Sequence, residues 1–199
     1  NYVWLEIQEE LIIRITRIER RIQTSRKQIE EIKRSLGDRN IRLPKAKAAK
    51  LKVKLKLIKN NINEYYKLLQ LFRQVGDAIA FTFIDKYDLK PQGNKESAGF
   101  ISKKRGNRLE RACLRATFKM GEIAILNDLT NVLRHFDLTI VFGTNQWIPF
   151  EVKSGKSSAS NPRAMRQPKN GEELLKYLFE DGQYLHEYDG YRKFRTPLT

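Results

Sequence analysis

Two long series of apolar residues, spaced by alternating steps of four and three, constrain the fold of this chain most strongly. The first series, interrupted once by a serine, comprises Leu11, Ile15, Ile18, Ile22, Ser25, Ile29, Ile32 and Leu36. The second comprises Leu51, Leu55, Ile58, Ile62, Tyr65, Leu69 and Phe72. Because this spacing puts a whole series on one helix face, it is typical of a coiled-coil seam. The breaker GDRNIRLP lies between them, so residues 1–75 are predicted to form an antiparallel helical hairpin.

Part of the second series, KLKVKLKLIK, also alternates with the period of two that is typical of a strand. We predict a helix there, because the four-three spacing runs through it and because Lys and Leu are good helix formers. The same region carries lysines with no acid between them, at positions 45, 47, 50, 52, 54, 56 and 59. Two interpretations remain open for this lysine run. It is either a solvated helix face or a phosphate-contacting one, with Lys50, Lys52, Lys54 and Lys56 as candidate nucleic-acid contacts.

The charge of the chain indicates its class of partner. A formal net charge of +16 predicts a polyanionic partner, with nucleic acid first and an acidic membrane surface second. The longest apolar run, AIAFTFI, is too short to span a bilayer, and the start has no secretory pattern. The single cysteine, Cys113, excludes an internal disulfide framework and a cysteine-based zinc cluster. We therefore expect a cytoplasmic protein that binds DNA and no membrane, with a homo-oligomer or protein partner engaged through the coiled coil.

The chain after the hairpin begins with a connector. The apolar segment GDAIAFTFIDKYD and the basic loop after it predict a connecting helix and loop over residues 76–106. A second domain is predicted over residues 107–199. It starts with a helix at RLERACLRATFKM, for which Gly121 is the C-terminal cap. A strand is expected near residues 130–134 and a final helix near residues 171–179, and QYLHEYDGYRKF is the candidate for a closing strand.

A β-hairpin occupies the middle of this second domain. DLTIVF and WIPFEVK have the β-branched and aromatic content of strands, and GTNQ between them supplies a turn. Asp137 opens the first strand, and Glu151 and Lys153 close the second. Because side chains alternate along a strand, Glu151 and Lys153 point to one face while Val152 points into the packing. Such charged residues are poor core residues, so they are solvated, paired, or bind a ligand.

The order helix, strand, strand, strand, helix with these charged residues resembles the core of the PD-(D/E)xK, or restriction-endonuclease-like, nucleases. Asp137 matches the acid of the second strand, and Glu151-Val152-Lys153 matches the (D/E)-x-K of the third. Glu110 matches the acid often supplied by the first helix, while Phe136 stands where the motif has Pro. Arg166 and Gln167 resemble the polar pair on the helix after E-x-K in several branches. The resemblance covers residues 107–180 and leaves the helical hairpin outside.

The resemblance implies an α/β fold, a restriction-endonuclease-like αβββα(β) core that carries an N-terminal helical coiled-coil hairpin. It implies an endonuclease that depends on Mg²⁺ (or Mn²⁺) and cleaves DNA, with RNA left open, in restriction, repair or defence against foreign DNA. Asp137, Glu151, Glu110 and the Val152 carbonyl would hold the metal. Lys153 would activate the attacking water. Carboxylates are the ligands that Mg²⁺ prefers in proteins.

Each candidate also has a structural interpretation. Asp137 is then a turn acid, Glu151 and Lys153 form a surface ion pair worth about 0–1 kcal/mol, and Glu110 faces solvent. Cap and turn roles account for Asp128. The rival functional hypothesis is a non-catalytic nucleic-acid-binding or scaffold protein with a nuclease-like fold and a partner-docking coiled coil. No phosphate-binding glycine motif is present, so a nucleotide cofactor is not expected.

Overall fold

The computed structural model describes residues 1–37, 43–89, 99–104, 106–133, 135–142 and 146–152, together with the strands 184–188 and 192–196. This part of the chain combines long N-terminal helices with a small three-stranded antiparallel sheet. The helices are α1 (Tyr2–Gly37), α2 (Lys45–Phe83), α3 (Lys86–Leu89) and α4 (Asn107–Lys119). The strands are β1 (Ile123–Leu126), β2 (Leu138–Val141), β3 (Trp147–Phe150), β4 (Tyr184–Tyr188) and β5 (Arg192–Thr196).

Helices α1 and α2 form the predicted antiparallel pair. At one end the rings of Trp4 and Phe83 meet edge to face with centroids 5.3 Å apart. Further along, Arg26 donates to the Tyr66 hydroxyl at 2.6 Å. The buried seam is largely the predicted one: Leu11, Ile15, Ile18, Ile22 and Ile32 on α1, and Ile58, Ile62 and Leu69 on α2. The stretch KLKVKLKLIK lies within α2, so the prediction of a helix there is confirmed.

Helix α2 does not end at the predicted hairpin boundary. It continues to Phe83, so most of the predicted connecting helix is the last part of α2. Gly76 in this part lies against the backbone that follows β1, where a Cβ would come within 2.0 Å of the Leu129 carbonyl oxygen. Only a residue without a side chain allows this approach. The end of α2 is therefore packed directly on the sheet-bearing part of the fold.

The sheet confirms the predicted hairpin. The order is β1-β2-β3, with both pairs antiparallel, and Leu138 is paired with Leu126 on one side and Phe150 on the other. Helix α4 precedes the sheet and ends at Lys119; Met120 follows as the capping residue, and Gly121 after it adopts φ +89°. That conformation is the one for which glycine is favoured after a helix, so the predicted cap is confirmed.

The strand predicted near residues 130–134 is wrong; residue 134 lies outside the described residues. The strand of this region is β1, which ends at Leu126. The reason is an acid on α2: Asp77 accepts the backbone N–H groups of Asn131 and Val132, the latter at 3.1 Å. Thr130 Oγ1 accepts the N–H of Leu133 at 3.0 Å. These side chains bind the backbone N–H groups that would otherwise pair with a neighbouring strand.

The later predictions are met only in part. The helix predicted near residues 171–179 lies outside the described residues. The segment QYLHEYDGYRKF does contain a strand, β4, but its partner is β5 in a separate two-stranded sheet. The order helix, strand, strand, strand is thus present in α4 to β3, whereas the complete nuclease-like core remains a prediction.

Candidate functional site

Three carboxylates from three different elements surround one ammonium group at one end of the sheet. Lys104 Nζ lies 2.7 Å from Asp128 Oδ2. It also lies 3.7 Å from Asp137 Oδ1 and 3.9 Å from Glu110 Oε1. We call Glu110, Asp128 and Asp137 the carboxylate cluster. Burial would lower the pKa of Lys104, but the charge of Asp128, aided by the other two, raises it above its ordinary value.

Backbone pairing holds Asp137 at this end of the sheet. Its N–H donates to Phe150 O at 3.2 Å, and its carbonyl accepts the N–H of Asn127 at 3.0 Å. Its Oδ2 accepts the N–H of Val152 at 3.0 Å. The preceding Phe136 adopts φ +63°, a left-handed conformation that costs a non-glycine residue about 1–2 kcal/mol. Such strain is concentrated at functional sites.

A buried asparagine positions Asp128. Asn127 Nδ2 donates to His135 O at 2.6 Å, and its Oδ1 accepts the Thr139 hydroxyl at 2.9 Å. These bonds tie the short 3-10 helix Asn127–Leu129, which follows β1, to the segment that leads into β2. Asp128 is consequently placed next to Asp137.

Glu110 lies in the first turn of α4 and is only 4% exposed. Its Oε2 is buried with no hydrogen-bond partner among the described residues. Burial raises the pKa of Glu110 to about 7; Lys104 opposes this rise, and the charges of Asp137 and Asp128 add to it. A large fraction of Glu110 is therefore protonated near neutral pH.

The segment that carries Lys104 is anchored on α1. Glu19 is fully buried and accepts the N–H of Ile101 at 2.9 Å and that of Ser102 at 2.8 Å. Ile101 itself is 1% exposed. Both Glu19 oxygens are therefore used as acceptors; burial lowers the pKa of Arg73, and the charge of Glu19 opposes that fall. The first helix thus fixes the short turn from which Lys104 reaches the carboxylate cluster.

The predicted site residues fall into four groups. Glu110 and Asp137 come together in the carboxylate cluster. Val152 meets Asp137 through its backbone N–H, and Glu151 lies opposite Asp137 when the β2–β3 register is continued by one residue. Lys153, Arg166 and Gln167 lie outside the described residues. The lysine run projects from the first half of α2, with its lysines exposed.

Two members of the arrangement were not predicted. Asp128 was assigned a cap or turn role, and it does lie in a turn, but its carboxylate also joins the cluster. The signal that could have identified it is an acid placed two residues after the strand-like run IAIL. Lys104 carries no comparable signal, because a lysine in a basic loop is indistinguishable from its neighbours without the fold.

The carboxylate cluster fits a hard divalent cation in its donor chemistry. Carboxylate oxygens are the preferred ligands of Mg²⁺, and Glu110 Oε2 is a buried oxygen without a partner. The oxygens lie 2.7–3.9 Å from Lys104 Nζ, which are ion-pair distances. A Mg²⁺ ion at the same position would need its oxygens at ~2.1 Å. Accordingly, no three His, Cys, Asp or Glu side chains of the described residues are grouped closely enough to hold a metal as they stand.

Comparisons with known proteins assign no family. The chain matches no protein-family model, no curated protein and no solved structure. Among the helices in the described ranges, none has the length and apolar character needed to cross a membrane.

Proposed function

We propose that this protein is a divalent-cation-dependent endonuclease that hydrolyses phosphodiester bonds in DNA. One observation carries the proposal: Glu110, Asp128 and Asp137 converge on a single cation position next to the Glu151-Val152 segment. Lys104 Nζ pairs with all three acids, and the charge of the buried Arg73 also acts on Asp128. Three largely buried acids gathered at one position are costly for a purely structural cluster and suit the binding of a divalent cation.

The residues that would hold Mg²⁺ or Mn²⁺ are Asp137, Glu110, Glu151 and the Val152 carbonyl, with Asp128 as an added carboxylate. A cation bound there lowers the pKa of a coordinated water and offsets negative charge on the phosphate. The two carboxylate oxygens of Asp137 have different partners. Oδ2 accepts the Val152 N–H and so positions the E-x-K segment, while Oδ1 lies 3.7 Å from Lys104 Nζ.

Lys153 directly follows this segment, and its proposed role is to orient the attacking water and to offset charge that develops on the phosphate. Arg166 and Gln167, and the lysines Lys50, Lys52, Lys54 and Lys56, are proposed contacts to the nucleic-acid backbone. Lys104 is proposed to neutralise the carboxylate cluster before a divalent cation enters and to move away when one does.

Supercoiled plasmid incubated with Mg²⁺, with Mn²⁺ or with a chelator tests the proposal. We expect nicked and linear products only with a divalent cation. Asp137→Asn and Lys153→Ala should each lower the cleavage rate by roughly 100-fold or more, because each removes charge stabilisation of the transition state. Glu30→Gln is the matched control, since Glu30 is an exposed acid on α1. A parallel assay on RNA of similar length decides which nucleic acid is the better substrate.

The rival function is a non-catalytic nucleic-acid-binding scaffold. It predicts that the protein retains plasmid in a mobility-shift assay and leaves it intact with either cation. Cleavage of equal rate in wild type and Asp137→Asn would point to a contaminating nuclease and remove the proposal.

A further inference from the structure

A polar groove runs along one face of α1 and is separate from the carboxylate cluster. It encloses about 620 Å³. Its described lining contains four arginines and no acid: Arg17, Arg20 and Arg21 on α1, and Arg111 on α4. Hydroxyl and amide groups complete the polar lining: Thr16, Thr24, Ser25, Gln28 and Tyr65. We call it the arginine groove.

Three of its arginines have no counter-charge. Within the described chain, Arg17, Arg20 and Arg21 make no ion pair or side-chain hydrogen bond, and all three are exposed. Two acids of the same helix, Glu10 and Glu19, are already engaged. Glu10 pairs with Arg14, and Glu19 binds backbone N–H groups. The positive charge of the groove is therefore available to an external anion.

The fourth arginine fixes the groove to α4. Arg111 pairs with Glu9 of α1, and Arg115 pairs with the same carboxylate at 2.7 Å. Burial raises the pKa of Glu9, but the hydrogen bonds and charges of Arg115 and Arg111 bring it below its ordinary value. Glu9 consequently remains ionised and holds Arg111 at the groove wall. Arg111 directly follows Glu110 on α4, so this helix contributes one residue to the groove and one to the carboxylate cluster.

The dimensions of the groove suit an extended polyanion. Its α1 lining runs from Ile12 to Gln28, which spans ~24 Å at 1.5 Å per residue. A strand lying along that length presents several phosphates to the groove. Arginine forks bind phosphate oxygens in pairs, and hydroxyl and amide groups add single bonds.

We propose that the arginine groove binds the phosphate backbone of the nucleic acid whose strand enters the carboxylate cluster. The choice of nucleic acid over another polyanion rests on the proposed nuclease function. Binding in the groove itself is independent of catalysis, because none of its arginines belongs to the carboxylate cluster or to the E-x-K segment.

Fluorescence anisotropy with labelled single-stranded DNA, duplex DNA and RNA of equal length tests this inference, with chelator present throughout. Arg17→Gln/Arg20→Gln/Arg21→Gln should lower affinity by roughly 100-fold near 0.15 M salt and reduce the salt slope on duplex DNA by about 2 to 3 units. The charge-matched control, Lys27→Gln/Lys33→Gln/Arg34→Gln, changes exposed cations of α1 outside the groove and should change the slope by less than about one unit. All six positions are exposed, and thermal unfolding of each variant verifies that it is folded.

The outcomes separate the groove from the nuclease. Equal losses in the two triple variants would overturn the groove as the binding site, whether or not the protein cleaves plasmid. Equal affinity of wild type for an acidic polyglutamate peptide would overturn nucleic acid as its ligand. If binding depends on the groove arginines but no cleavage occurs with a divalent cation, the arginine groove is supported as a binding site and the proposed nuclease function is wrong.

Discussion

The side-chain oxygen of Gln8 accepts the backbone N–H of Leu126 at 2.9 Å, across 118 residues of sequence. Its Nε2 donates to the Ala124 carbonyl at 2.8 Å. Strand β1 is at the edge of its sheet, where a backbone carbonyl and N–H have no neighbouring strand to pair with. The side-chain amide of Gln8, which is fully buried, binds both of these groups. One side chain of α1 thus closes the sheet edge that leads to Asp128.

Gln8→Ala should therefore destabilise the protein. It leaves a buried N–H and a buried carbonyl without partners, which costs about 3 kcal/mol in the free energy of unfolding. Urea unfolding followed by circular dichroism measures the change. Gln70→Ala, on an exposed position of α2, should stay within about 0.5 kcal/mol of wild type. Equal stability of the two variants would contradict the edge-closing role of Gln8.

Gly76→Ala should be among the more damaging small substitutions. The new methyl group would lie 2.0 Å from Leu129 O, so α2 must move away from the turn that bears Asp128. We expect a loss of about 3 kcal/mol despite the better helix propensity of alanine. Gly37→Ala is the matched control, because a Cβ there meets nothing within 4 Å. Thermal or urea unfolding checks both, and a stabilised Gly76→Ala would show that this close approach is absent in solution.

The raised pKa of Glu110 predicts a pH dependence of stability. The folded-state pKa of about 7 exceeds the ordinary value of 4.5, so the folded state binds more protons between these values. Stability should fall as pH rises through that window, by about 3 kcal/mol in total, and level off above it. Glu110→Gln should remove this fall. The exposed Glu6→Gln should retain it, and unfolding curves from pH 4 to 8 report the difference.

Lys104 should compete with divalent cations for the carboxylate cluster. Lys104→Met removes the ammonium at 2.7 Å from Asp128 and should tighten Mn²⁺ binding about tenfold, equivalent to about 1.4 kcal/mol. Isothermal titration calorimetry measures it directly. Lys119→Met, at the exposed end of α4, controls for the loss of one positive charge. Weaker Mn²⁺ binding by Lys104→Met would mean that the lysine supports the site rather than competing for it.

The lysine run should contribute affinity and not chemistry. Neutralising Lys50, Lys52, Lys54 and Lys56 to Gln should lower the salt slope of DNA binding by close to one unit for each phosphate that these lysines neutralise in the wild type. The cleavage rate at saturating DNA should stay near normal. An unchanged salt slope would identify the run as a solvated helix face.

The parts of the fold that follow from local pattern were predictable from the sequence. The four-three spacing is a property of neighbouring turns, so it located the α1–α2 seam, and β-branched residues located β2 and β3. The strand expected near residues 130–134 failed because Asp77, more than 50 residues earlier, binds that backbone. A local pattern carries no information about such a distant acceptor.

In the candidate site, too, residues in a local motif were predictable and residues placed by distant contacts were not. Glu110 and Asp137 were found through a motif whose members lie on adjacent elements. Asp128 and Lys104 join them only because Asn127 and Glu19 hold two loops in place through tertiary hydrogen bonds. Those loops have ordinary composition, so their roles become visible only when the chain is folded.

The bonds that Gln8 and Glu19 make across the fold have a consequence for the order of folding. Helices α1 and α2 pack together across a short connection and are synthesised first, so they pair early. The carboxylates come later in the chain and are brought together on a scaffold that is already built, since Gln8 receives β1 and Glu19 receives the turn before Lys104. A chain from which α1 is removed therefore lacks the partners that assemble the cluster. The carboxylate cluster thus forms only after these later segments have folded onto the first two helices.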